Sequence, residues 1–225
     1  IAGYPCVYYV CKNHLTLFSD NISYLARTLS SLTRQELVVN SSQLPYHFFK
    51  DGMGRTTLFK DIYRIMVGEQ ISLEENKISR IQLLTISDMI RSHPKNCIES
   101  LEQTMKKIIE EYTKSYRNIV NIFSGGVDSS YIQSHLSQCV GHSTQTFSLD
   151  LIHPSQTWKT EREYALSGSS LFQTHHTFVS ITPSEYPNLL IKIISELGLP
   201  VRSSQEVLLS RLLNYVKKVS SVALC

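Results

Sequence analysis

The sequence predicts an α/β fold: a parallel β-sheet with helices on both faces, preceded by a β-rich region. Three observations predict it. From Cys97 onward, stretches with apolar residues three and four apart alternate with short apolar runs. One such run, Ile119–Phe123, passes through a glycine-hinged turn directly into an amphipathic stretch, Tyr131–Cys139. Before residue 78 the apolar runs are short and strand-like. Alternating strands and helices demand a sheet covered on both sides, and such sheets are parallel.

Taken in order, residues 1–77 carry strand-like runs at Cys6–Val10, Leu15–Phe18 and Gln70–Leu73. A helical segment, Ser41–Phe49, lies between them, followed by a loop at Asp51-Gly52-Met53-Gly54. Residues 78–97 read as a linker. Ser92-His93-Pro94 is its turn, because a residue before proline is pushed out of the helical region. Residues 98–225 form the α/β part. Ile98, Leu101, Met105, Ile108 and Tyr112 mark one apolar helix face. Strands are expected at Ile119–Phe123, Thr144–Leu151, Thr177–Ile181 and Ser220–Leu224. Two more helix faces are Tyr186, Leu189, Leu190, Ile193, Ile194, Leu197 and Val207, Leu208, Leu212, Leu213, Val216.

Composition narrows the class. The chain has 225 residues, 42% hydrophobic and 18% charged, ordinary for a globular protein with one core or one core and a partial second. Net charge is +3 and the basic residues are scattered, so no nucleic-acid partner is expected. No apolar run reaches the roughly 18 residues a membrane span needs, and Ile1 opens no signal-peptide pattern. Cys6, Cys11, Cys97, Cys139 and Cys225 show no C-x-x-C pair and no metal spacing. Free, packed thiols in a reducing, cytoplasmic setting are the simplest account.

The chemistry concentrates at Ile119-Val-Asn-Ile-Phe-Ser-Gly-Gly-Val-Asp-Ser-Ser130. Strand, tight turn and helix start follow one another. Gly125 and Gly126 let the backbone turn sharply and approach a ligand. Amides at the helix start, with the helix dipole, favour an anion in the turn. Ser124, Ser129 and Ser130 add hydroxyl donors. The turn is thus a phosphate cradle. G-x-x-x-x-G-K-[ST] is absent, and no lysine lies between Lys114 and Lys159. G-x-G-x-x-G is absent too. Ser-Gly-Gly-Val-Asp-Ser instead resembles the PP-loop of ATP pyrophosphatases; the bland alternative is a serine-capped strand–helix turn.

A wider resemblance follows. Thr57-Leu58-Phe59-Lys60-Asp61-Ile62 with Val67-Gly68-Glu69 is similar to the T-L-F-K-x-I … P-G-x segment ending the glutaminase domain of asparagine synthetases. Phe147-Ser148-Leu149 resembles that family's second strand, Glu161–Ala165 its D-E-x-x-Y-A helix start, Leu208–Leu212 its L-L-S-R-L helix, and Val222–Cys225 the strand after it. The resemblance implies an adenine-nucleotide α-hydrolase-like domain after a remnant of a glutaminase-like domain. It implies ATP and Mg²⁺ as cofactors, and amide formation through an acyl-adenylate with release of AMP and pyrophosphate. Partners would be a small-molecule or peptide carboxylate and an amine or ammonia donor. Ser124, Gly125, Gly126, Val127, Asp128, Ser129 and Ser130 would hold the phosphates, and backbone at Ile122 and Leu149 the adenine. Asp128 would orient the loop amides or place Mg²⁺.

The departures are informative. Gly3–Tyr9 matches a strand late in the family's glutaminase domain, so Cys6 and Cys11 are not its N-terminal nucleophile. Asp20 stands where the family usually has the glutamate of A-S-E-L-K. The second pyrophosphate loop, S-G-x-G-x-D-E, is expected about where Cys225 falls. The chain therefore reads as a piece of a longer protein, or as a processed one, itself inactive in synthesis. Tyr8–Leu29 resembles the lasso-peptide cyclase branch, relatives that, like β-lactam synthetases, use an internal amine. A degenerate, non-catalytic interaction module and other PP-loop enzymes are the remaining alternatives. His175-His176, Glu161, Glu163 and Glu196 are weaker site candidates, each with a structural reading: strand polarity, a solvated helix start or a surface charge.

Overall fold

A computed structural model describes residues 6–12, 14–50, 54–74, 77–85, 97–140, 143–151, 156–201 and 203–225. The expected loop at Asp51-Gly52-Met53 and the turn Ser92-His93-Pro94 lie outside these residues. The chain divides into two compact units, Ile1–His93 with Leu190–Ser203, and Pro94–Leu189 with Ser204–Cys225.

In the first unit, β1 (Tyr8–Lys12) pairs antiparallel with β2 (Leu15–Ser19) and with β3 (Tyr63–Arg64). β1 begins two residues later than its expected Cys6 start. Helix α1 (Ile22–Thr33) covers this sheet, burying Ile22, Leu25, Ala26 and Leu29 with Val10 and Ile62. Asn21 caps it: its Oδ1 accepts the Tyr24 amide at 2.8 Å. α1 is not among the elements expected above, although its cap and its 22-25-26-29 apolar spacing are both sequence signals. The Ser41–Phe49 segment is a 3₁₀ turn, Ser41–Gln43, leading into α2 (Leu44–Lys50).

The Thr57–Ile62 segment is a folded turn. The Thr57 hydroxyl donates to the Ile62 carbonyl at 2.8 Å and accepts the Phe59 amide at 3.2 Å, while Leu58 and Ile62 are buried. Strands β4 (Glu69–Glu74) and β5 (Lys77–Gln82) form a separate antiparallel pair. β5 occupies the start of the span expected to be linker.

The second unit is a doubly wound sheet of four parallel strands. Its elements run α3 (Cys97–Ser115), β6 (Ile119–Ile122), α4 (Val127–Cys139), β7 (Gln145–Leu151), α5 (Gln156–Leu171), β8 (His175–Ile181), α7 (Ser204–Val216) and β9 (Val222–Leu224), in the sheet order β8-β7-β6-β9, while α6 (Tyr186–Leu197) begins in this unit and continues into the first. Consecutive residues of β6 show both faces in use. Val120 packs with Phe147, Val179, Leu212 and Val216 under α7, whereas Ile119 packs with Ile109 and Leu136 under α3 and α4. The expected parallel sheet with helices on both faces is present.

Of the apolar face expected on α3, Ile98 is 82% exposed and Leu101, Ile108 and Tyr112 are exposed with it, while Met105 packs against the core. The helix docks through Ile109, 1% exposed, beside Met105. Periodicity located an apolar face but not the neighbour that selects a face.

Candidate functional site

Strand order places the candidate site. From β6 the chain steps to β7 and β8 on one side, and β9 returns to the other side of β6. The reversal falls at β6, the position where open α/β sheets bind ligands at their carboxyl ends. The Ser124–Ser130 loop leaves β6 at that end.

The turn is built locally. Phe123 makes the last rung, its amide donating to the Phe147 carbonyl at 2.8 Å. Gly125 then takes φ +76°, a left-handed conformation costly for any residue with a Cβ. What approaches Gly125 is protein: a Cβ there would lie 2.7 Å from the Ala165 amide nitrogen and closer still to the Tyr164 carbonyl. Its glycine lets α5 pack on the loop. Gly126 is extended (φ −72°, ψ 169°) and serves as N-cap of α4; within 4 Å a Cβ would meet Ser124 Oγ alone, at 3.2 Å. Space beside Gly126 is open.

Side chains wire the loop to itself. Ser129 Oγ accepts the Ser124 amide at 3.3 Å, meets Ser124 Oγ at 3.2 Å and donates to the Gly126 carbonyl at 3.2 Å. Ser124 Oγ accepts the Gly126 amide at 3.2 Å. The first intrahelical bond runs from Ser130 N–H to the Gly126 carbonyl at 3.0 Å. Amides of Val127, Asp128 and Ser129 precede it and are the orphan donors of the helix start. The Asp128 carboxylate, in the same first turn, is exposed.

The structure therefore brings Ser124, Gly125, Gly126, Val127, Asp128, Ser129 and Ser130 into one loop, with Ile122 and Leu149 beside it on adjacent strands. Peptide groups alternate sides along a strand. Since the Phe147 carbonyl points at β6, the Leu149 peptide points the same way, past the last rung of β6.

The weaker candidates are bonded elsewhere or exposed. His176 is structural: Nδ1 lies 2.9 Å from Thr146 Oγ1 and Nε2 2.7 Å from Ser148 Oγ, with edge contacts to Phe123 and Phe178. Burial, aided by the Arg162 charge, lowers its pKa to about 4, so it is neutral near pH 7. Glu161 and Glu163 are exposed on α5. Glu196 pairs with Lys192 at 3.8 Å. A cleft of about 800 Å³ opens at the other end of the sheet, lined by Lys114, Arg117, Thr144 and His175. No loop residue lines it, and volume alone does not outweigh the switch point and the oriented amides.

Two features escaped the sequence reading. Arg162 lies 4.1 Å over the Phe178 ring and bonds Asp150 Oδ2 at 2.5 Å, joining α5 to the carboxyl ends of β7 and β8. Asn121 and Gln133, both fully buried, join β6 to α4. Neither arrangement has a local signal, because each pairs residues 12 or more apart.

Switch point, glycine turn and orphan amides define a PP-loop α/β domain. The chain belongs to the asparagine synthase family, whose model matches residues 100–225, more than half of it. No curated protein matches the chain. Among solved structures it is similar to an NH3-dependent NAD synthetase from Campylobacter jejuni subsp. jejuni NCTC 11168, in complex with the nitrate ion, at 15% identity and TM-score 0.40. That match covers 56% of this chain and 54% of the other, so the chain spans about half the length of that synthetase. Among the described residues, no helix is long and apolar enough to cross a membrane.

Proposed function

We propose that this chain is the nucleotide-binding part of an ATP-dependent amide ligase that activates a carboxylate as its acyl-adenylate. The observation that carries the reading is the Ser124–Ser130 loop, with its orphan amides and open space beside Gly126, at the switch point of the sheet. In this reading, attack of a substrate carboxylate oxygen on the α-phosphorus breaks the α–β bridge, and pyrophosphate departs carrying new negative charge. Fixed N–H donors are worth most where charge develops. The amides of Val127, Asp128 and Ser129 and the hydroxyl of Ser130 suit that place. The Leu149 peptide, free of β6, suits the adenine edge, with Ile122 beneath it.

The donor set also fits Mg²⁺. That ion is commonly held by one or two carboxylates plus substrate phosphates, and Asp128 is the loop's carboxylate. Among the described residues no group of three or more His, Cys, Asp or Glu could hold a metal unaided. When bound, Mg²⁺ supplies charge neutralisation on the phosphates. Localisation in the cytoplasm accords with the cysteine usage.

The test is titration of Mg-ATP into the protein and into Gly126→Trp. The extended Gly126 backbone suits a residue with a Cβ, which would meet Ser124 Oγ alone, at 3.2 Å; the indole would fill the space beyond, and circular dichroism checks that the variant folds. Binding is expected in the first and not in the second; equal affinity would overturn the reading. The resemblance of Tyr8–Leu29 to lasso-peptide cyclases supports an internal amine as acceptor. The whole enzyme should then convert a peptide, with ATP, to a product lighter by one water. Glutamate released from glutamine in step with AMP would instead assign ammonia as the nucleophile.

A further inference from the structure

We infer that Asn121 is a positioning residue for the phosphate cradle, acting through the Ser129 carbonyl. This rests on the nucleotide-binding reading above. Asn121 is 0% exposed on β6. Its Nδ2 donates to the Ser129 carbonyl at 3.1 Å and to Gln133 Oε1 at 3.1 Å. Gln133, also 0% exposed, passes its own Nε2 to Thr144 Oγ1 at 2.7 Å and to Ser137 Oγ at 3.0 Å. The network fixes the amide's orientation, since reversing it would set Asn121 Oδ1 against two acceptors.

The placement is unfavourable for packing alone. A strand–helix seam is ordinarily filled by aliphatic side chains. Asn121 Oδ1 is buried and has no partner among the described residues, a state that costs stability. Replacing a buried polar pair by apolar groups of the same shape is close to neutral. What Asn121 supplies is direction: it ties β6 to one backbone group in the first turn of α4. The residue it grips, Ser129, is also the one whose hydroxyl gathers Ser124 and Gly126. One end of Ser129 is anchored to the strand, and the other organises the loop. An aliphatic residue at 121 would leave the first turn free to rotate, spreading the amides from the arrangement a polyphosphate needs.

The experiment compares the unmodified protein with Asn121→Val, a residue close in size and suited to a strand. Mg-ATP affinity is measured by calorimetry well below the melting transition, with circular dichroism confirming the fold. Hydrogen exchange at the Val127–Ser130 amides reads loop order without any nucleotide. The expected result is a fold retained, affinity weakened about tenfold, the scale of one hydrogen bond, and faster exchange at those amides. Unchanged affinity and unchanged exchange, with only a lower melting temperature, would make Asn121 a packing group and overturn the inference. Should Asn121→Val fail to fold, Asn121→Ser carries the same two measurements. If the unmodified protein binds no Mg-ATP, the nucleotide-binding reading falls, while the exchange data still decide whether Asn121 orders the loop.

Discussion

Replacing Gly125 by alanine tests the loop's construction directly. Two costs add. A Cβ at φ +76° is in the left-handed region, which costs about 1–2 kcal/mol. The same Cβ would stand 2.7 Å from the Ala165 nitrogen and closer to the Tyr164 carbonyl. These are backbone atoms of α5, so no side chain can swing aside, and forced overpacking costs about 1–3 kcal/mol. Alanine also restricts the unfolded chain, returning about 0.4–1 kcal/mol. The net loss is about 2–4 kcal/mol. Gly126→Ala is the control: its backbone is extended, and the new Cβ meets only a serine hydroxyl at 3.2 Å, so its effect stays within about 1 kcal/mol. Urea unfolding of the three proteins gives the differences from the midpoints, provided the slopes agree. A Gly125→Ala midpoint within error of Gly126→Ala would refute the close approach of α5 to the loop.

Two further predictions follow from buried charge. His176 is held neutral in the fold with its pKa lowered to about 4, whereas the unfolded chain takes up that proton near 6.5. Its contribution is therefore complete above about pH 6.5 and declines as pH falls towards 4, by about 1–2 kcal/mol after solvent screening. Unfolding at about pH 7 and about pH 4.5 should show this loss, and His176→Gln should remove it; an equal slope in both proteins contradicts the assignment. Glu69, its side chain 2% exposed, bonds Arg55 Nη2 at 2.5 Å and the Met66 amide at 2.9 Å. Glu69→Ala strands the Arg55 charge and should cost about 2–4 kcal/mol by urea unfolding, Arg55 being one-third exposed; a loss under about 1 kcal/mol would make the pair a surface contact.

The sequence by itself determined what is local. The Ser124–Ser130 turn needs only its own glycines, serines and the flanking strand and helix, so its form and place were legible. So were the strands from Ile119 onward and the α7 face of Val207, Leu208, Leu212 and Val216, where the apolar period and the buried side coincide. α1 was legible too, in the Asn21 cap and its spacing, though it is not among the elements expected above. Tertiary structure alone decided the rest. It left Ile98, Leu101, Ile108 and Tyr112 of α3 exposed and docked Ile109 beside Met105, because which apolar residues are covered depends on what stands opposite. It paired β5, at the start of the expected linker, with β4. It gave Gly125 its steric reason, the α5 backbone some 40 residues on, and it set Asn121 against Ser129 and Gln133, and Arg162 against Phe178. Dihedral preferences and capping act within a few residues and are written in composition. Burial and hydrogen-bond satisfaction are settled between segments that only folding brings together.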